Sequence, residues 1–289
     1  MIDLHSHTNE SDGTYTPREL VEAAASIGIE ALGITDHDTF AGYELAVPIA
    51  RERGLDLVCG IELSTRAVFG HGQKTVHMLA FFLGEGGPSS DFRAWVAELL
   101  ASRRDRNIRL IRSLNEHGVD ISLGEVEAMG RSLTGRPHFA RVLMKKGYVR
   151  STDEAFRRYL AESAPSFVER DSPEIGEAIR EVAKGGGISV LAHPVRLGFR
   201  HREEEERFIA SLKDLGLRGI EVWHSDHNAA DTARYFDISQ HLGLLRSGGT
   251  DFHGANKPGL ELGTGRNGNV HVDREVLDQL RTGSAMATG

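Results

Sequence analysis

Seven short apolar runs set the frame of this chain. Residues 1–4, 31–35, 55–64, 74–83, 188–192, 219–222 and 244–247 have strand length and are bounded by turn residues. Helical patterns separate most of them. One opens at Thr16-Pro17, carries Leu20, Val21, Ala24 and Ile27 on one face, and stops at Gly28. Others run to about Arg53 and over 173–184, 203–215, 229–242 and 274–282. No helix fits between the third and fourth runs, so a hairpin is expected there. Strand–helix alternation of this kind predicts a largely parallel sheet or barrel. It breaks after Gly84. From Ser89 to about Ala161 every pattern is helical, with a long helix over 91–117 and shorter ones over 123–129, 138–146 and 153–160. The expected architecture is α/β: a barrel built from residues 1–88 and 171–289, with a helical insertion of residues 89–170 as a lid over substrate.

Charge follows the same division. Lys+Arg number 34 and Asp+Glu 42, a net charge of −8 over 289 residues, which excludes a general attraction for long nucleic acid or an anionic membrane. Residues 101–158 hold 13 basic and 7 acidic residues, a balance of +6 that leaves −14 for the remainder. A basic lobe beside an acidic barrel suits a small anionic substrate; a solvated, arginine-rich helical surface is the plainer reading. The single cysteine, Cys59, sits mid-strand among apolar residues, excludes an internal disulfide framework and fits a reducing, cytoplasmic setting. No apolar run approaches the roughly 20 residues of a membrane helix, and Asp3, His5 and His7 read against a secretory leader.

The chemistry lies in the histidines, 14 in all. His5 and His7 end the first strand; in extended chain, residues i and i+2 face the same side, so both rings can reach one ion. Asp12 follows in a loop. Asp36-His37-Asp38 ends the second strand, Glu62 the third, His193 the fifth, and Asp251-Phe252-His253 follows the seventh, while His77 lies on the fourth. Any one of these histidines is more often a satisfied core residue. Six imidazoles and three carboxylates at strand ends would leave many buried polar groups unsatisfied without a shared ligand. The set mixes nitrogen and oxygen donors without thiolate, which suits Mn²⁺, Fe²⁺ or Zn²⁺. Nine donors suffice for three ions. His71, His117, His201, His241 and His271 have no clustered partners and receive no role.

His5-Ser6-His7, Thr35-Asp36-His37-Asp38, Glu62, His77, Ala192-His193-Pro194 and Asp251-Phe252-His253 resemble the motifs of the polymerase and histidinol phosphatase (PHP) family of phosphoesterases, and the likeness spans nearly the whole chain. The resemblance implies a distorted (βα)₇ barrel around two to three divalent ions. It implies His5, His7, Glu62 and Asp251 on the first, Glu62 (bridging), His77 and His193 on the second, and Asp12, His37 and His253 on the third. Asp36 and Asp38 would orient ring N–H groups from behind. The insertion with Gly135-Arg136-Pro137-His138 is similar to a subgroup that includes a 3′,5′-nucleotide bisphosphate phosphatase and a 5′→3′ exoribonuclease. Ala164 and Phe167 stand where relatives often have Lys and Tyr, so the substrate contacts of that stretch differ.

The expected reaction is attack of a hydroxide bridging two ions on phosphorus, removing the 3′-phosphate of a nucleoside 3′,5′-bisphosphate. A water on the third ion, or a histidine such as His224 or His253, is expected to supply a proton to the leaving oxygen. Arg136 and Arg196 are placed to fork onto the second phosphate, with His138, His224 and His227 facing the same pocket. Plainer roles stand beside these: Arg196 paired to a surface carboxylate, Arg136 capping a helix end, His138 packing only. The alternatives are exoribonuclease action on short RNA, a non-catalytic nucleotide-binding module, and a C–N hydrolase of the amidohydrolase type. The binding module predicts missing metal donors and the hydrolase a carboxylated lysine at a strand end; neither feature is found in the sequence. The substrate expected is a small nucleotide or a short oligonucleotide; the sequence does not specify an oligomeric state.

Overall fold

The structure, a computed structural model, describes residues 1–69, 72–84 and 86–285; His71 lies outside them. In chain order the elements are β1 (Ile2–Ser6), α1 (Pro17–Ser26), β2 (Ala31–Ile34), α2 (Ala41–Arg53), β3 (Asp56–Phe69), β4 (Gly72–Phe82), α3 (Ser90–Glu116), α4 (Leu123–Glu127), α5 (Arg136–Lys145), α6 (Thr152–Ala155), α7 (Ile175–Lys184), β5 (Ile188–Leu191), α8 (Arg202–Asp214), β6 (Gly219–His224), α9 (Ala229–Leu242), β7 (Leu245–Gly249) and α10 (Arg274–Ala285). Local chemistry sets the helix ends. Thr16 and Glu19 form a capping box with Pro17 inside the first turn of α1, and Asn228 with Asp231 does the same for α9, which closes on left-handed Gly243.

The seven strands form one sheet in sequence order. β1–β2–β3 and β5–β6–β7 run parallel, whereas β4 is antiparallel to both neighbours. The barrel closes where β1 meets the end of β7: Asp251 N–H donates to the His5 carbonyl at 2.8 Å and His7 N–H to the Phe252 carbonyl at 2.9 Å. Gly249 makes this approach possible, since a Cβ there would collide with the His5 backbone. The buried Asp3 carboxylate ties the seam, accepting from Thr250 N–H at 3.0 Å and its hydroxyl at 2.6 Å.

β3 runs five residues past its expected end. Ser64, Thr65 and Arg66 interrupt the apolar run, yet they continue in register with β4 as a two-stranded arm above the barrel rim. The helices from α3 to Leu160 have a core of their own, including Leu110, Leu114, Val126, Phe139, Leu143 and Leu160. α3 serves both bodies: Phe92, Val96 and Leu99 pack into the barrel core, while Leu110 and Leu114 pack into the helical lobe. The last expected helix of the lobe is divided between α6 and a π-turn at Phe156–Leu160. Among the described residues no helix is long and apolar enough to cross a membrane.

Candidate metal centre

Strand register gathers the donors at one rim. His37 bridges to Glu62 in parallel register, Ser64 pairs with His77 across the hairpin, and Ala192 N–H donates to the His77 carbonyl at 3.2 Å. Asp38, His193 and Asp251 adopt φ of +48°, +28° and +57°. Strained backbone of this kind, held by its surroundings, concentrates at functional sites.

Glu62 is the hub. Imidazole nitrogens of His193 (2.9 Å), His7 (3.0 Å), His77 (3.0 Å), His5 (3.3 Å) and His37 (3.3 Å) surround its buried carboxylate. Asp251 Oδ1 faces His5 Nε2 at 3.4 Å and His7 Nε2 at 3.3 Å. Asp12 Oδ1 faces His253 Nε2 at 3.2 Å, with His37 Nε2 at 3.9 Å from Oδ2. Among the groups whose donor atoms lie close enough to share an ion, three are built from the expected donors: His5, His7, Glu62 and Asp251; His37, Glu62 and His77; His7, Asp12, His37 and His253. All nine expected donors converge. His7 and His37 each stand between two groups, and His193 reaches the centre through Glu62 alone.

The fit to a metal rests on orphaned nitrogens. His5 Nε2, His7 Nε2, His37 Nδ1 and His77 Nδ1 are buried without a hydrogen-bond partner, each turned toward Glu62. Two donors about 2.1 Å from one ion at tetrahedral or octahedral angles stand roughly 3–3.4 Å apart, which is the spacing found. Without an ion, burial opposes charge on His7, yet the facing carboxylates of Asp251 and Glu62 push its pKa up to about 9. Burial takes His37 down to about 3 against the pull of Glu62 and Asp12. The same carboxylates pull both imidazoles toward charge, but burial prevails at His37, helped by repulsion from His7 and His77, a conflict that a shared cation removes.

Several expectations change at this point. Asp36 orients no imidazole: it accepts from Thr8 N–H (2.8 Å), the Thr8 hydroxyl (2.7 Å) and the Ser11 hydroxyl (2.6 Å), bracing the loop that carries Asp12. Asp38 accepts from Ser64 N–H at 2.9 Å and from Arg170 at 2.9 Å, and pairs with Arg103. Burial resists its charge, but Arg170 and Arg103 hold its carboxyl well below the usual range. A carboxylate does meet the far nitrogen of one ring: Glu221, an unmarked strand residue, has Oε1 2.9 Å from His5 Nδ1. His253 Nδ1 lies 2.7 Å from the Asp251 carbonyl and must donate to it, which leaves Nε2 bare as a ligand and not a proton source. His224 Nδ1 accepts from Asp226 N–H at 3.0 Å, so its proton is on Nε2, 3.4 Å from Asp251 Oδ2. That proton is directed at Asp251. His227 donates from Nδ1 to the Val222 carbonyl at 2.8 Å against Tyr235, and His138 accepts Gly135 N–H at 3.1 Å inside the helix cap. Neither lines the cavity that the metal-donor candidates Asp12, His37 and His77 border; His227 borders a separate pocket with Asp226 and Asn228. Arg196 bridges Asp226 (2.8 Å) and Asp251 Oδ2 (2.8 Å), with Lys257 on the same oxygen, so its partner is a candidate ligand.

A cavity of about 460 Å³ opens between the barrel rim, the hairpin arm and the helical lobe. Asp12, His37 and His77 form one end; Arg66, Lys74, Arg103, Arg106, Arg136 and Arg170 outnumber Glu162 and Glu169 along the rest, with Phe156 and Phe167 among the apolar walls. Arg136 is in this wall and also caps the turn at Leu160, donating to its carbonyl at 3.3 Å. Arg106 is only 4% exposed. Its guanidinium makes no hydrogen bond or ion pair among the described residues, its Nε is orphaned, and burial with neighbouring Arg103, Arg136 and Arg170 depresses its pKa well below the arginine value. The sequence carried a signal for it. Arg103 and Arg106 continue the buried stripe Phe92, Val96, Leu99 of α3 toward Leu110, so their position is apolar while their chemistry is not.

The PHP domain family matches residues 3–162. The chain is similar to 3′,5′-nucleoside bisphosphate phosphatase of Chromobacterium violaceum, 30% identical over 91% of this chain and 90% of that one. It is 32% identical to phosphoribosyl 1,2-cyclic phosphate 1,2-diphosphodiesterase of Eggerthella lenta, over 87% of this chain and 94% of that one. It is 30% identical to a 5′-3′ exoribonuclease of Haemophilus influenzae, over 87% and 89%. A structure from Bifidobacterium adolescentis described as a metal-dependent phosphoesterase superposes with a TM-score of 0.80 at 32% identity, covering 97% of this chain and 95% of that one.

Proposed function

The chain belongs to the PHP domain family of metal-dependent phosphoesterases, and from that premise we propose that it removes the 3′-phosphate of a nucleoside 3′,5′-bisphosphate, leaving the 5′-monophosphate. The observation that carries this reading is the arginine wall beside the metal donors. One phosphate at the Asp12–His37–His77 end leaves a second, non-reacting phosphate within reach of the guanidinium groups, of which Arg106 is free to fork onto it. Phe156 and Phe167 offer apolar faces to a base. A volume of about 460 Å³ suits one nucleotide; further nucleotides of an RNA would have to leave through the mouth.

In this reading His5, His7, Glu62 and Asp251 would hold one divalent ion, Glu62, His77 and His193 a second, and Asp12, His37 and His253 a third. Mn²⁺, Fe²⁺ and Zn²⁺ all match the donor chemistry. Bound ions of this kind lower the pKa of water and neutralise charge on phosphoryl oxygens. The chain's own part is placement. Glu62 spans two groups of donors, His224, Arg196 and Lys257 hold the outer oxygen of Asp251, and the arginines fix the distal phosphate so that the other lies at the rim. The helical lobe acts as the lid, docked on the barrel by the pairs of Asp38 with Arg103 and Arg170.

Steady-state kinetics with Mn²⁺ on adenosine 3′,5′-bisphosphate and on a 5′-phosphorylated tetraribonucleotide test the proposal. The bisphosphate is expected to show at least about tenfold higher kcat/KM. A preference of that size for the tetranucleotide overturns it in favour of exonucleolytic trimming, which the similarity to the Haemophilus influenzae protein makes the second reading.

A further inference from the structure

Glu221 has no exposed surface and sits on β6, on the far side of His5 from Glu62. Each of its oxygens has a separate donor. Oε1 is 2.9 Å from His5 Nδ1, and Oε2 accepts the His193 backbone N–H at 2.7 Å. A carboxylate on Nδ1 places the His5 proton there and leaves Nε2 bare, facing Glu62 Oε2 at 3.3 Å and Asp251 Oδ1 at 3.4 Å. The second bond anchors His193 at its left-handed φ of +28°, immediately before Pro194. One side chain thus couples β1, β5 and β6 at the rim. By distance, His5, Glu221 and His224 also form a donor group, but both Glu221 oxygens already accept N–H bonds and His224 Nδ1 accepts Asp226 N–H.

We propose that Glu221 is a positioning residue that sets the affinity of the centre for divalent metal, by fixing the His5 tautomer and the strained His193 backbone. The proposal rests on the metal-centre reading and not on the choice of substrate. Glu221→Gln is the informative change. Its amide has one acceptor for two N–H donors, so either His5 turns over and directs a proton at Glu62, or the His193 N–H is left unpaired.

Mn²⁺ titration by calorimetry, with metal counted by elemental analysis, is expected to show affinity lower by about 10–100-fold in Glu221→Gln. Its circular dichroism should match wild type, and Glu221→Asp should recover part of the loss. Wild-type affinity and stoichiometry in Glu221→Gln overturn the proposal. Imidazole ¹H–¹⁵N spectra of metal-free wild type supply a reading that needs no variant to fold: a proton on His5 Nδ1 bonded to Glu221 supports the assignment, and a bare Nδ1 overturns it. A wild-type protein that binds Mn²⁺ but ignores phosphoesters refutes the substrate reading and leaves this test standing; one that takes up no Mn²⁺ refutes both.

Discussion

A guanidinium buried without a counter-charge costs several kcal/mol, and Arg106 is in that position in the cavity wall. Such a cost persists where a ligand repays it. Arg106→Met keeps the length and apolar stem of the side chain while removing the charge. The variant is expected to be more stable than wild type without substrate by about 1–3 kcal/mol, a rise of several degrees in Tm by calorimetry. Its KM for a nucleoside bisphosphate should rise about 10–100-fold, the worth of a charge-assisted bond, with kcat little changed. A less stable variant with unaltered KM would make Arg106 a structural residue. At this scale legibility in the sequence depended on pattern. The candidate metal donors were readable because His5/His7 and Asp251/His253 are i, i+2 pairs and most of the others close apolar runs. Glu221 was not, because β6 is buried almost throughout and a carboxylate facing the barrel interior has no distinguishing period.

Among the elements, α5 shows how a residue expected to bind substrate serves the backbone. Gly135 has no side chain to cap the helix, and the His138 ring accepts its N–H in that place. The acceptor must stay unprotonated, and burial takes the His138 pKa down to about 4. The unfolded chain protonates near 6.5. Below that pH it binds a proton that the fold refuses, so stability is full above about 6.5 and falls as pH falls toward 4, by at most about 3 kcal/mol. His138→Asn keeps an acceptor and removes the titration. The stability difference between wild type and this variant, from urea unfolding, should therefore move against wild type by about 2 kcal/mol between pH 7 and pH 5; a difference that is flat across this range contradicts the capping account. The other departures at this scale have a common origin. The hairpin arm of β3 and β4 extends past the apolar run because ladder hydrogen bonds tolerate Ser64, Thr65 and Arg66. The sharing of α3 between barrel and lobe was hidden because its stripe is continuous while its partners change midway.

Taken as a whole, the molecule separates what folds it from what loads it. Apolar clusters fill the barrel wall and the helical lobe, and the seam between β1 and β7 is closed by backbone bonds and Asp3. None of these contacts requires a metal ion. The donors, in contrast, come from the ends of β1 and β2, from β3 and β4, and from the segments after β5 and β7, so ions bound there tie most of the rim together. Stripping metal with a chelator should accordingly leave circular dichroism intact while lowering the unfolding temperature. An ion held at 100 times its Kd stabilises the native state by about 2.7 kcal/mol. For a chain of this size that corresponds to roughly 5–10 °C per ion. Added Mn²⁺ should restore the loss with a concentration dependence that reports its Kd, and Mg²⁺, which prefers oxygen ligands and dehydrates reluctantly, should restore little of it. A chelated protein that melts at the same temperature, with or without Mn²⁺, would show that the convergent imidazoles and carboxylates hold one another and not an ion. Loss of secondary structure on chelation would instead make the ions part of the fold and the apolar cores dependent on them.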